Sequence, residues 1–165
     1  MVIWIIGLSG AGKTTLGKRV FEKLKPETPN LVYLDGDELR KVWKDEKDFS
    51  LESRRRNASR VSNLCKLLDK QNIHVIASVL SIFPEWQKWN RENFTNYFQV
   101  YLKVPLRILK ERDTKGLYNQ EYPKDIVGID IEFPTPYMPD LTLESYGENS
   151  NPDKLVEDIC ESIQL

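Results

Sequence analysis

Cysteine, histidine and net charge are all scarce in this chain. Of 165 residues, two are cysteine and one is histidine. Cys65 and Cys160 lie far apart, without a metal-ligand spacing, at apolar positions of predicted helices. They read as buried thiols rather than as a disulfide or a redox pair, and a reducing cytoplasm is the plain expectation. The single histidine, His74, falls inside a predicted strand and is assigned no role. A formal net charge of -1 argues against a general binder of nucleic acid or membrane surfaces, so any basic cluster must act locally. No apolar run approaches the ~18 residues of a membrane span. The N-terminus enters directly into a predicted strand, which leaves no room for a signal peptide.

What remains is the composition of a soluble globular protein, 40% hydrophobic and 30% charged, of a length that fits one domain over residues 1–165. The apolar run Val2 to Ile6 reads as a buried strand. Gly7-Leu8-Ser9-Gly10-Ala11-Gly12-Lys13-Thr14 follows, with Thr15 next, and the segment Lys13 to Leu24 carries Leu16, Val20, Phe21 and Leu24 at helical spacing. This is G-x-x-x-x-G-K-[ST] between a strand and a helix, the phosphate-loop arrangement. Backbone N–H groups of the glycine-rich turn converge on one anion, and the helix N-terminus adds partial positive charge. Lys13 would reach the β- and γ-phosphates of ATP, and the Thr14 hydroxyl would ligand Mg²⁺.

Further along, Leu31 to Leu34, Ile73 to Leu80, Tyr97 to Val104 and Asp140 to Leu143 read as strands. Helices are expected over Glu38 to Trp43, from Ser50 as N-cap, over Trp86 to Asn93, from Pro105 in a first turn to Arg112, and over Lys154 to Ile163 behind an Asn151-Pro152-Asp153 cap. In the long helix after Ser50, Val61, Leu64, Leu67 and Leu68 are the expected inward stripe. Strands alternating with helices predict an α/β fold: a single-domain P-loop NTPase with a five-stranded parallel sheet covered by helices on both faces. Residues 113–139, rich in proline and without periodicity, form a loop long enough to serve as a lid.

Polar clusters follow the predicted strands. Asp35-Gly36-Asp37 can hold a Mg²⁺ water and accept a proton from an attacking hydroxyl, and equally reads as a helix N-cap with an acidic first turn. Arg54 and Asn57, three apart, share a helix face near Arg40; arginine forks onto oxyanions, and asparagine reads a hydroxyl or base edge. Arg55 and Arg56 point elsewhere, into solvent. Arg112-Asp113-Thr114-Lys115-Gly116-Leu117-Tyr118 opens the long loop, where a cation would neutralise charge developing in phosphoryl transfer.

In this order the pieces resemble the adenylylsulfate kinases across nearly the whole chain. The particular matches are Leu34-Asp35-Gly36-Asp37 with Arg40, Phe49-Ser50 with Arg54, Asn57 and Arg60, Ser81, Lys115-Gly116-Leu117-Tyr118, and Val127-Gly128-Ile129-Asp130 leading to Phe133 and Pro136. The resemblance implies transfer of the ATP γ-phosphate to the 3′-hydroxyl of a nucleoside 5′-anhydride, adenylyl sulfate by family default. It implies catalytic roles for Lys13, Asp35, Asp37, Ser81 and Lys115, with Arg112 beside the nucleotide. Asp37 would orient or deprotonate the 3′-hydroxyl and Asp35 would support Mg²⁺. Ser81 matches a serine discussed in the family as a phosphoserine intermediate, but direct transfer suffices for a loose transition state. Phe49 and Phe133 match the aromatic pair that clamps the acceptor base, Arg40, Arg54 and Asn57 would hold anhydride and sugar, and Lys115, Gly116 and Leu117 would close over them. A homodimer is usual in the family; the family's N-terminal extension is missing here.

One stretch departs. After the strand-end serine the family reads proline, an aromatic and arginine, then a second arginine; here the run is Ser81-Ile82-Phe83-Pro84-Glu85-Trp86-Gln87-Lys88-Trp89. Pro84 and Gln87 replace the two arginines, which points to a less anionic acceptor. A divergent branch of the family phosphorylates cytidine diphosphoramidate for the decoration of bacterial capsules, and that compound is the alternative acceptor. A small-metabolite kinase for sugar acids fits less well, because a sugar acid has no base for paired aromatics to clamp. From a different class, a non-catalytic nucleotide switch would bind ATP without turning over an acceptor; both carboxylates and the lid lysine speak against it.

Overall fold

The computed structural model describes residues 1–45, 48–113, 116–118 and 125–163. Its centre is β1 (Val2–Ile6), five residues that are all buried. It pairs in parallel with β3 (His74–Val79) on one side and β4 (Tyr97–Lys103) on the other. Beyond these lie β2 (Leu31–Asp35) and β5 (Leu141–Glu144), giving the order β2-β3-β1-β4-β5, every pair parallel. The expected five-stranded parallel sheet is present.

Alternation along β1 divides the core in two. Ile3 and Ile5 face α1 (Lys13–Leu24), α5 (Leu106–Arg112) and α6 (Pro152–Ser162), packing with Leu16, Val20, Leu109 and Ile159. Val2, Trp4 and Ile6 face the opposite way, with Val61 and Cys65 of α3 (Leu51–Asp69) and Trp89 of α4 (Pro84–Asn93). A sheet buried on both faces explains why its central strand is a continuous apolar run rather than an alternating one. The short α2 (Gly36–Val42) leaves the end of β2 directly. Both thiols are unbridged, Cys65 fully buried and Cys160 partly so. Among the described residues no helix is long and apolar enough to cross a membrane.

Local signals mostly hold. Ser50 Oγ accepts from Ser53 N–H at 3.2 Å, and Asn151 Oδ1 accepts from Asp153 N–H at 3.0 Å, as N-caps do. Pro105 sits at the N-cap of α5, not inside its first turn. The inward stripe of α3 is a correction. Leu67 is 56% exposed and Leu64 and Leu68 are only partly buried, while Asn57, Val61, Cys65 and Asp69 form the buried i, i+4 row. The polar ends of that row have work inside the protein, because Asp69 accepts from Thr95 N–H at 2.8 Å and Asn57 reaches the cavity described below. Those two tasks set the rotation of the helix, and Leu67 is left facing water.

Candidate functional site

A cavity of about 590 Å³ opens at the C-terminal ends of β1, β2 and β3. On one side stands the phosphate loop. Gly7 lies so close to β4 that a Cβ there would meet the Leu102 carbonyl oxygen at 2.5 Å, and Gly12 holds φ 98 at the start of α1. These positions need glycine for different reasons, a backbone approach in one case and a left-handed turn in the other. Lys13 Nζ donates to the Leu8 carbonyl at 2.8 Å, so its ammonium lies over the loop. Ser78 Oγ donates to the Lys13 carbonyl at 3.0 Å, fastening the start of α1 to β3.

Asp35, buried at the end of β2, caps α2 as its sequence suggested, and does so with one oxygen while the other faces α1. Oδ1 accepts from Asp37 N–H at 2.9 Å and Glu38 N–H at 3.4 Å, capping α2. Oδ2 accepts from the Thr14 hydroxyl at 2.7 Å and from the Tyr33 hydroxyl at 3.1 Å. Because Thr14 gives its proton to Asp35, the lone pairs of its oxygen remain for another partner. Burial, with the Asp35 charge adding to it, pushes the Tyr33 hydroxyl up to about 12, so it is a donor throughout the neutral range.

The opposite wall comes from α2, α3 and the segment after β3. Arg40 Nη1 donates to the Asp45 and Asp48 carbonyls at 3.1 and 2.9 Å, which braces the chain leading to Phe49. Arg54 Nε donates to the Phe49 carbonyl at 2.9 Å and Nη2 to the Asp125 carbonyl at 2.8 Å, tying α3 to the long loop. The two guanidinium carbons lie 5.2 and 5.6 Å from the centre of the Phe49 ring, yet that residue is 47% exposed. A large ring held in place by two cations but left open to the cavity is a ready stacking surface. Burial lowers the pKa of both arginines, and the Asp37 carboxylate acts against that drop in each. Asn57 is 7% exposed and lines the cavity, and neither atom of its side-chain amide has a hydrogen-bond partner among the described residues. Leaving both groups unpaired costs ~1–3 kcal/mol each unless a ligand or water meets them.

The candidate residues are distributed unevenly. Ser9, Lys13, Thr14, Asp35, Asp37, Arg40, Phe49, Arg54, Asn57, Ser81 and Leu117 all line this one cavity. Phe133 does not; it is packed beside Ile82, Phe83 and Val127, with its ring centre 6.1 Å from that of Tyr101. Arg112 is exposed and donates to the Ser145 carbonyl at 2.9 Å, and Gly116 is exposed outside the wall. Lys115 lies outside the described residues. Arg55 and Arg56 are at the surface as expected, paired with Glu85 and with Glu52 and Asp48 respectively. His74 is at the far end of β3 from the cavity. Sequence reasoning missed Trp4, Tyr33 and Ser78; a serine in the middle of the apolar run from Ile73 to Leu80 was the available signal for the last.

Comparison with known proteins gives consistent results. The family model described as adenylylsulphate kinase matches residues 1–144. A cytidine diphosphoramidate kinase from Campylobacter jejuni is 38% identical over 167 residues, covering 99% of this chain and 96% of that protein. An adenylyl-sulfate kinase from Clostridium acetobutylicum is 34% identical over 169 residues, covering 99% of this chain and 82% of its own length. The Mycobacterium tuberculosis APS kinase, solved in complex with AMPPNP and APS, superposes with a TM-score of 0.83 at 29% identity, covering 98% of this chain and 95% of that one.

Proposed function

The chain belongs to the adenylylsulphate kinase family and is a phosphotransferase, and on that premise we propose that it moves the γ-phosphate of ATP to the 3′-hydroxyl of a nucleoside 5′-anhydride. The observation that carries this reading is the position of Asn57, a buried amide without a partner among the described residues, in the same cavity as the phosphate loop. The loop from Gly7 to Thr15 would hold the donor phosphates, with Lys13 swinging from the Leu8 carbonyl onto the β/γ pair. Arg112 would flank the nucleotide. The Thr14 and Asp35 oxygens fit a hard cation, and with nucleotide they would hold Mg²⁺, Asp35 through water. Bound there, Mg²⁺ would neutralise charge on the transferring phosphoryl group. Asp37 would orient the 3′-hydroxyl and receive its proton. Arg40, Arg54, Asn57 and the face of Phe49 would hold the acceptor, with Phe133, Lys115, Gly116 and Leu117 closing over it from the long loop. Ser81, at the cavity wall, would contact the acceptor rather than carry the phosphoryl group.

Of the two acceptors, cytidine diphosphoramidate is the better supported. Both anhydrides carry one negative charge on each half, so the expectation of a less anionic acceptor does not by itself separate them. The terminal groups differ: a sulfate offers only acceptor oxygens, whereas a phosphoramidate replaces one with an N–H donor. A pocket for the second needs fewer cationic donors, in keeping with Pro84 and Gln87 at the two positions where arginine was expected. The near full-length likeness to the Campylobacter protein points the same way. Adenylyl sulfate is the second reading, favoured by the likeness to the adenylyl-sulfate kinases. A coupled ADP-release assay with ATP and Mg²⁺, run with each acceptor at matched low concentration, tests both. Faster turnover of the cytidine compound is the expected result; preference for adenylyl sulfate reverses the assignment. Turnover of neither, with ATP still bound, removes the acceptor reading altogether.

A further inference from the structure

Gln87 is 2% exposed on α4 and does not line the cavity, yet it touches both the cavity wall and the end of the long loop. Its Nε2 donates to the Ser81 carbonyl at 2.8 Å, and its Oε1 accepts from Tyr137 N–H at 2.6 Å. The Tyr137 carbonyl is held in turn by Gln99 of β4, fully buried, whose Nε2 donates to it at 2.9 Å. Gln99 Oε1 accepts from the Tyr97 hydroxyl at 2.7 Å. The backbone partners fix both amide orientations, since an N–H must meet oxygen and a carbonyl must meet N–H. Just beyond, Arg91 donates to the Met138 carbonyl at 2.7 Å and grips the Asp140 carboxylate at 2.8 and 3.1 Å. The loop is thereby bolted down where it returns to the sheet.

At the other end of Gln87, Ser81 holds φ 54, a left-handed conformation unusual for serine. Its hydroxyl accepts from Trp4 Nε1 at 3.1 Å, and it begins the Ser81-Ile82-Phe83 stretch of the cavity wall. Such a conformation persists only when its surroundings over-determine it. The side chain at position 87 must supply a donor to Ser81 and an acceptor to Tyr137 together. Arginine or lysine has no acceptor, and an apolar residue has neither.

We propose that Gln87 is a positioning residue for the acceptor: its amide locks the Ser81 backbone and the chain at Tyr137 into one register, which fixes the cavity wall that the acceptor meets. The inference rests on reading this cavity as the acceptor site. The phosphate loop is braced independently of that contact through Ser78 and through Asp35. Disturbing Gln87 therefore affects the acceptor and spares ATP.

The test uses Gln87→Met and Gln87→Glu in the full chain, with KM measured for ATP and for whichever acceptor the wild type prefers. In Gln87→Met the acceptor KM rises about tenfold, the order expected for losing buried hydrogen bonds, while ATP affinity stays within about twofold. Gln87→Glu adds a pH readout and covers the case in which the methionine variant fails to fold. A carboxyl buried there has a raised pKa, and its protonated form reproduces the amide's donor and acceptor. Its acceptor KM is then near wild type at low pH and climbs as the carboxyl ionises, with the ATP KM flat. Parallel changes in both constants, or in neither, overturn the proposal. Hydrogen exchange separates it from the acceptor assignment. If wild type turns over neither acceptor, that assignment falls, while faster exchange in both variants at Ser81–Phe83 and Tyr137–Asp140 together still supports the coupling. Faster exchange at only one of the two segments refutes it.

Discussion

The phosphate loop and the acceptor wall share one cavity but differ in how far apart their parts lie along the chain. Gly7 to Gly12 form the turn between β1 and α1, Lys13 to Thr15 open the helix, and the bond from Lys13 Nζ to the Leu8 carbonyl closes within this one segment. The wall proposed for the acceptor is assembled from Arg40, Phe49, Arg54, Asn57 and Ser81, and its fastenings reach from Arg54 to Asp125 and from Gln87 to Tyr137. The donor cradle is thus one continuous segment that Ser78, Asp35 and Tyr118 fasten to the fold, whereas the opposite wall has no continuous segment of its own. Phosphate chemistry is the same for every substrate of this kind of kinase and tolerates a fixed cradle. An acceptor pocket changes by altering contacts between distant segments, which leaves the cradle untouched.

Substitutions on the two sides are expected to separate cleanly. The largest effect is Lys13→Ala, which removes a donor from the developing charge and lowers turnover by roughly 10²–10³-fold. Its thermal midpoint stays close to wild type, and ADP release together with a melting curve reads both. Wild-type turnover in that variant would remove Lys13 from the chemistry. Next is Asn57→Leu. It replaces an unpaired buried amide by an apolar side chain of similar volume, so the ligand-free protein is as stable or more so, while acceptor KM rises by about tenfold or more. ATP affinity is unchanged. If stability fell sharply instead, Asn57 would be meeting a structural water rather than awaiting a ligand. Phe49→Ala should cost the acceptor ~1–3 kcal/mol of binding if a base stacks on the open ring. Phe133→Ala matches it only if ligand binding draws that residue from its place against Tyr101 to the wall.

The same division decides what could be read from the sequence. The phosphate loop was legible because its pattern, strand and helix are contiguous. The cap role of Asp35 was legible because an aspartate at a strand end directly before a helix signals it, whereas its bond to Thr14 joins two segments and needed the fold. The buried face of α3 does not follow its leucines, since Leu67 is exposed. A helix whose buried row contains Asn57 and Asp69 is oriented by polar contacts that only the fold supplies. Gln87 stood out as a departure, but its use could not be seen: both its backbone partners lie in segments with no regular structure.

The smallest expected effect concerns Tyr33, on the donor side. Its hydroxyl donates to the same Asp35 oxygen that receives Thr14, and burial raises its pKa from 10.0 to about 12. In the unfolded chain this phenol ionises near 10, whereas in the folded protein it stays protonated until about 12. Between those values the unfolded state binds fewer protons, so stability falls as pH rises through the window. Tyr118, also raised to about 12 by burial, gives a similar slope, and the buried Cys65 thiol, pushed up from 9.0, starts its own decline at lower pH. Tyr33→Phe consequently removes one part of the alkaline loss and leaves the rest. Urea midpoints at pH 8, 10 and 11 read it as a difference between variant and wild type that narrows, or changes sign, as pH rises. A difference independent of pH would mean that Tyr33 ionises at its ordinary value and that its bond to Asp35 does not depend on burial. Turnover at neutral pH changes little, because Thr14 keeps its own bond to Asp35 when the phenol is gone.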